Sequence, residues 1–268
     1  MFGRVMKMLA AAFAALAALL APASRAEDLP ESLAEARLIG GWTTAAGTRM
    51  AALQLTLAPG WKTYWRAPGE AGIPPDFDWS GSDNLRAVAF HWPRPEVISV
   101  GGLRTLGYHG ELVLPIELTP VEADAPVSAR ATIRLGVCDE VCVPLTVSLS
   151  GELPPGLPEH PAVRAALADQ PERVSAPVRC AVEPIRDGLR LTASAEVPSP
   201  GPDEFAVIEL ADGNVWVSPA ESRRDGAMLT SVADMVPADA RPFALDRSQV
   251  RITLFGGGRA VELDGCTG

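Results

Sequence analysis

The sequence predicts an all-β protein of two β domains joined by a proline-rich linker with a short helix, and three observations point there. Proline and glycine supply 25 and 24 of the 268 residues; they are scattered along the chain, which suits many short strands joined by turns. Short apolar-alternating stretches recur: Arg49–Leu57, Leu85–Trp92, Leu112–Leu118, Ala129–Val137 and Val141–Leu149. A proline-dense interval then separates this region from a second one of the same kind. A hydrophobic fraction of 47% with 21% charged residues is that of a globular chain, not a disordered one. The formal net charge of −10 argues against a nucleic-acid binder, which would carry a basic patch or stripe. Three histidines leave little material for a multi-histidine metal site.

Residues 1–26 read as an address. Arg4 and Lys7 form a positive n-region, Met8 to Leu20 an apolar h-region, and Ser24 and Ala26 are small residues before a cut after Ala26. The apolar run is short of the roughly 20 residues of a membrane span. Cleavage would carry the net charge from −10 to −13, since three basic residues and no acids leave. All four cysteines lie beyond the cut. In an oxidising compartment an even number reads as two pairs.

The first β region, 27–153, is punctuated by Pro59-Gly60 and Pro74-Pro75. Residues 154–177 carry the prolines of LPPGLPEHPAVRAALADQPERV around one helical run, Pro161–Asp169, and read as a linker with a short helix. The second β region, 178–268, is marked by the turn dipeptides Asp187-Gly188 and Asp212-Gly213. In it Gly256–Gly258 separates strands at Arg251–Phe255 and Arg259–Leu263.

The chemistry-bearing segment is Ala129–Leu149. A hairpin closed by Asp139-Glu140-Val141 pairs residues whose numbers sum to 280. Val137/Val143, Leu135/Leu145 and Ile133/Val147 then share an apolar face, and Cys138/Cys142, Arg134/Thr146 and Thr132/Ser148 share the other. A slip of one residue would ruin both. Pro144 has no N–H to give, so its pair with Gly136, and with it Cys138–Cys142, is of the non-hydrogen-bonded kind. Such pairs bring Cα atoms to about 4.5 Å, the short end of disulfide geometry, so the bond is expected off the core face and somewhat strained. Strained or exposed disulfides tend to be the labile ones. The bland alternative is a staple, but closing a loop over three residues removes little chain entropy. Cys180 and Cys266 contrast with it: joined, they close about 85 residues and serve as a structural disulfide. Asp139 and Glu140 disfavour a neighbouring thiolate, which points to a pair that gives electrons rather than takes them.

Other constellations are weaker. Trp61, Tyr64, Trp65, Phe77 and Trp79 read as sandwich core and cover for the cysteines before they read as a ligand groove. His91 and His109 stand at irregular distances from the C-x3-C pair, a poor zinc or copper pattern. No G-x-S-x-G elbow and no phosphate-cradling glycine loop followed by a helix occurs. No metal or cofactor is expected.

The runs PGWKTYWRAPGEAGIPPDFDWSGSDNL (59–85) and HWPRPEVISVGGLRTLGYHGELVLPIEL (91–118), followed by the LGVCDEVCVP hairpin, resemble the N-terminal periplasmic domain of the DsbD/ScsB thiol–disulfide transporters over about Leu33–Leu153. Members of the ScsB type carry a second β domain after it, as 178–268 does. The resemblance implies an immunoglobulin-like sandwich whose redox-active cysteines sit on a hairpin under a cap loop. It implies that Cys138 and Cys142 are the pair, with Cys142 forming the mixed disulfide. It places Tyr64 beside the pair, Glu96 on an acidic position of a 93–107 cap loop, and Val97 where DsbD has the cap aromatic. Three residues separate the cysteines, as in the ScsB type, against five in DsbD. The family's membrane domain and thioredoxin domain have no counterpart in this sequence, so a separate membrane electron transporter is expected as donor. The implied protein is a monomeric periplasmic protein-disulfide reductase acting on thioredoxin-like or disulfide-carrying partners. A non-catalytic binding or chaperone-like module and a copper-handling protein are the rival readings.

Overall fold

The alternating stretches fold into two β-sandwiches, one after the other along the chain. The structure, a computed structural model, describes residues 31–268 except 212 and 214, and it leaves the side chain of residue 100 undescribed. The signal-peptide reading of 1–26 and the Asp212 half of the Asp212-Gly213 turn lie outside the described residues.

Ten strands make the first sandwich: β1 Leu33–Thr43, β2 Arg49–Leu57, β3 Lys62–Gly69, β4 Asp76–Asp78, β5 Leu85–Phe90, β6 Glu96–Val100, β7 Leu103–His109, β8 Glu111–Pro120, β9 Val127–Cys138 and β10 Cys142–Leu153. One sheet runs β1-β2-β8-β5; the facing sheet runs β10-β9-β3-β7-β6, with β4 also paired to β9. Alternation on β9 turns Val127, Ala129, Ala131, Ile133, Leu135 and Val137 inward, where they join Leu53, Leu55, Leu114, Ile116 and Trp65 in the core. Truncating a side chain such as Ile133, 1% exposed, to alanine costs about 2–5 kcal/mol in a core of this kind.

Strand β2 does not alternate; RMAALQLTL is buried nearly throughout. The reason is a second cover. The helix of the linker, α1 (Pro161–Ala168), begins with proline at its first turn and lays the fully buried Val163 on Ile39, Met50 and Ala52, the outer face of the first sheet. A strand covered on both faces reads as a continuous apolar run. Beyond the helix, β11 (Glu172–Arg173) pairs in parallel with the last strand of the second sandwich. The proline-dense interval is therefore fastened at both ends.

The second sandwich contains β12 Val178–Ile185, β13 Gly188–Glu196, β14 Phe205–Leu210, β15 Val215–Val217, β16 Glu221–Asp225, β17 Met228–Pro237, a 3-10 turn Arg247–Gln249, β18 Val250–Gly256 and β19 Arg259–Asp264. One sheet runs β12-β13-β17-β15, with β16 also on β17, and the other β11-β19-β18-β14. Gly257 and Gly258 turn β18 into β19 with φ of 56° and 75°, a conformation that favours glycine.

The two sandwiches share apolar and ionic contacts. Phe255 and Ala260 of the second belong to the core of the first, and Trp65 meets the Phe255 ring edge-on at 5.6 Å. Beside them Arg66 donates to Glu209 at 2.7 Å and to the buried Glu262 at 2.5 Å. Residues 31–268 form a single compact unit. Among the described residues no helix is long and apolar enough to cross a membrane.

Candidate functional site

The hairpin β9–β10 is an unbroken ribbon of twelve pairs, from Val127 opposite Leu153 to Cys138 opposite Cys142. Its register has the sum of 280 on which the sequence pattern insists. The turn Asp139-Glu140-Val141 stands exposed at the tip. Cys138 and Cys142 form a disulfide with Cα atoms 4.1 Å apart, just under the usual range of about 4.4–6.8 Å.

The two sulfurs live in different surroundings. Cys142 is exposed, whereas Cys138 is 1% exposed. The pair lies off the core face, and on that face Cys138 is covered. The outer face of this sheet carries a second layer, supplied by β3 and the loop that follows it. Tyr64 on β3 is buried and donates its hydroxyl to Cys138 Sγ at 3.0 Å, with Cys142 Sγ 3.3 Å away. Burial raises the phenol above its ordinary pKa, so it remains a protonated donor at neutral pH. The loop Glu70–Pro75 folds back over Tyr64 because two positions have no side chain to obstruct it. A Cβ on Gly72 would meet Tyr64 Cδ1 at 2.8 Å, and one on Gly136 would meet Ile73 Cβ at 2.8 Å.

Strand β3 lies between β9 and β7, and the register sets a row of side chains on the outer face. Lys62 stands opposite Cys138 on one side and opposite His109 on the other. Its ammonium donates to the carbonyl of Asp139 at 3.3 Å. Thr63, one residue on, points inward and its hydroxyl donates to the Gly136 carbonyl at 3.0 Å, pinning β3 to β9.

The resemblance places a cap loop at 93–107. The structure corrects this: most of that span is a hairpin, β6 against β7, turning at Gly101-Gly102. Glu96 lies opposite Gly107, which in turn lies opposite Tyr64. Glu96 therefore shares the face of the cysteine pair, two strand spacings or about 10 Å from Tyr64, and its carboxylate accepts from His109 Nδ1 at 2.8 Å. Val97 pairs with Leu106, whose side chain is in the core, so it falls on the opposite face, at the edge, 47% exposed. Tyr64 lies against both sulfurs and Ile73 over the neighbouring Gly136, and Val97 takes no part in this cover.

Cys180 and Cys266 form the second disulfide, with Cα atoms 5.7 Å apart across a sequence separation of 86. Cys180 is buried in the second core, and the segment it fastens is also held by backbone bonds from Cys180 N–H to the Thr267 carbonyl and from Thr267 N–H to the Val178 carbonyl. His91 pairs with Glu117 at 3.2 Å and His109 with Glu96. Among the described residues no group of three or more His, Cys, Asp or Glu is placed to hold a metal ion. Of the aromatic group, Trp65 is fully buried and Trp61, Phe77 and Trp79 pack against the core; Tyr64 alone is turned to the sulfurs.

The hairpin tip thus holds one buried and one exposed sulfur, joined in a disulfide, with the Tyr64 hydroxyl within reach of both. Residues 35–153 match the family model described as "Thiol:disulfide interchange protein DsbD, N-terminal". Among solved structures, the N-terminal periplasmic domain of ScsB from Proteus mirabilis aligns at 25% identity and a TM-score of 0.58, over 86% of this chain and 92% of that one. The N-terminal domain of Neisseria meningitidis DsbD in the reduced form aligns at 17% identity and a TM-score of 0.29, over 50% of this chain and 100% of that one; a score so low does not by itself speak for a shared fold. Comparison with curated proteins gives no match.

Sequence reasoning missed Lys62, Ile73 and the paired glycines Gly72 and Gly136. Gly136 answers to a contact with Ile73, about 60 residues away, and Gly72 to the fold-back of the loop onto Tyr64; no local pattern announces either. Lys62 did carry a signal: it and Lys7 are the chain's two lysines, and every other one of the 23 basic residues is arginine.

Proposed function

We propose that this chain is a periplasmic thiol–disulfide interchange protein that passes reducing equivalents through Cys138 and Cys142 to partner proteins. The observation that carries the reading is the asymmetry of the pair: Cys142 is open to a partner, while Cys138 is covered yet in bonding contact with it. That is the arrangement in which one sulfur is attacked from outside and the other completes the exchange.

From the reduced pair, the Cys142 thiolate attacks one sulfur of a partner's disulfide. A bond forms between Cys142 and that sulfur, and the partner's second sulfur leaves as a thiolate. Cys138 then attacks Cys142; the Cys138–Cys142 bond forms and the first partner sulfur leaves. Two electrons have moved, so the pair is oxidised and the partner's disulfide is reduced to two thiols. Tyr64 donates to Cys138, with Cys142 also within reach of its hydroxyl, and the Ile73 loop, with the β6–β7 hairpin and Glu96 further along the face, controls approach. Residues 1–26 supply the export signal, thioredoxin-like proteins are the partners, and a separate membrane electron transporter re-reduces the pair. Cys180–Cys266 holds the second sandwich together and takes no part in exchange.

The test is substitution of each sulfur in turn. Cys142→Ser abolishes exchange, and Cys138→Ala accumulates mixed disulfides on Cys142 that can be trapped in cell envelopes and identified. Cys180→Ser keeps exchange but loses up to about 4–5 kcal/mol of stability on the chain-entropy account. Equal loss of exchange in a folded Cys180→Ser protein overturns the assignment. A redox titration placing the Cys138/Cys142 pair above about −150 mV, among strong oxidants, overturns the direction.

A further inference from the structure

The reactive sulfur that needs most help is the hidden one. Burial disfavours a thiolate at Cys138, and Asp139 and Glu140 beside it disfavour one further. Yet completion of the exchange requires Cys138 to attack as the thiolate. We propose that Lys62 is the counter-cation of the Cys138 thiolate, setting the rate at which the mixed disulfide on Cys142 is resolved. This rests on the exchange reading and adds to it the residue that makes its second step run.

Three observations support the assignment. Lys62 stands directly opposite Cys138 in the β3–β9 register, and opposed residues hold their Cβ atoms about 4.5–5.5 Å apart on one face. Its ammonium already lies at the hairpin turn, on the Asp139 carbonyl at 3.3 Å, within a short swing of the adjoining sulfur. The Asp139 carboxylate lies over Gly60, whose Cβ position is 3.6 Å from Asp139 Oδ1, so the adjoining acid is placed beside the turn that leads into β3. A lysine also fits the task better than arginine: it is a compact charge on a flexible stem, able to move from carbonyl to sulfur when the disulfide opens. Beyond residues 1–26 the chain uses lysine at this position alone.

The charged and titratable groups around Cys138 are few. The turn contributes Asp139 and Glu140, and β3 contributes Lys62 and the protonated Tyr64. From β7 comes His109, which is engaged with Glu96 of β6, and from the covering loop Glu70, whose carboxylate accepts from the Arg104 backbone N–H at 2.7 Å. Lys62 is the one permanent cation in that set.

Two measurements on the full mature chain test the assignment. In a Cys142→Ala background Cys138 is the single free thiol, and its rate of alkylation against pH reports its titration. Lys62→Met should raise that midpoint and slow alkylation at pH 7 about tenfold, the smaller end of what an opposite charge at this range does, and Lys62→Arg should restore most of it. In the protein with both cysteines reduced, dithiobis(nitrobenzoate) releases nitrothiobenzoate in two phases, attack by Cys142 and then resolution by Cys138. Lys62→Met should slow the second phase by a similar factor and the first much less. An unchanged Cys138 titration and unchanged second phase in the folded Lys62→Met protein overturn the proposal, as does slowing confined to the first phase, which would assign the cation to Cys142. Failure of the unsubstituted protein to release a second equivalent of nitrothiobenzoate would instead overturn the exchange reading itself.

Discussion

The two tyrosines of the chain are both buried in the first sandwich, and each does something a phenylalanine would not. Tyr64 donates to the sulfurs, and Tyr108 donates to the Pro93 carbonyl at 2.8 Å, fastening the start of the β6–β7 hairpin to the core. Burial raises both phenols above their ordinary value, Tyr108 well above it. A group that titrates higher folded than unfolded stabilises the fold fully below its unfolded value, here about pH 10, and loses that contribution as pH climbs towards the folded one. Stability should therefore be flat in these two groups up to about pH 10 and fall above it. Tyrosinate absorbance of the folded protein should lag behind that of the denatured chain; coincident curves would refute the burial account. Tyr108→Phe should soften the alkaline fall and cost about 1–2 kcal/mol at neutral pH, because the buried Pro93 carbonyl loses its donor.

At the scale of elements, the β9–β10 ribbon and the loop Glu70–Pro75 act as one device, a reactive bond under a cover seated on Gly136. Gly136→Ala puts a methyl group against Ile73. It should lift the loop, cost about 1–3 kcal/mol as overpacking does, and speed reduction of the disulfide by dithiothreitol, since the cover over Cys138 opens. An unchanged rate in the destabilised protein would show that the loop does not control access. The ribbon itself was legible before any coordinates, because apolar alternation, Pro144 and the turn left one register for Ile133 through Cys142. The cover was not legible. Whether Cys138 is buried depends on β3 lying beside β9 and on a loop from beyond β3, both contacts between distant parts of the chain. Likewise the continuous apolar run of β2 gives no sign that its second face is covered by Val163 of the linker helix. The 93–107 segment shows the opposite fault: a positional analogy read a loop where Glu96–Val100 and Leu103–His109 have the alternation and the Gly101-Gly102 turn of a hairpin.

At the scale of the whole molecule, the second sandwich grips the strand that carries the site. Trp65 and Arg66 directly follow Tyr64, and both reach across: Trp65 to Phe255, Arg66 to Glu209 and Glu262. Glu262 is 4% exposed and is also approached by Arg251 at 3.8 Å and Arg173 at 3.5 Å. Removing one member leaves charge buried and partly unpaired, so Arg66→Ala should cost about 2–4 kcal/mol, somewhat less than loss of an isolated buried pair because two arginines remain. Urea unfolding should then separate into two transitions, one per sandwich; a single transition at the original midpoint would show that the ion cluster does not couple them. The solitary lysine of strand β3 has a last, practical consequence. An endoprotease that cuts only after lysine finds one cleavable bond beyond residue 26, Lys62–Thr63, in a strand paired on both edges. The rate of that single cut is a clock for the release of β3, and comparing the oxidised and reduced proteins would time how far opening the sulfur bond loosens the strand beside it.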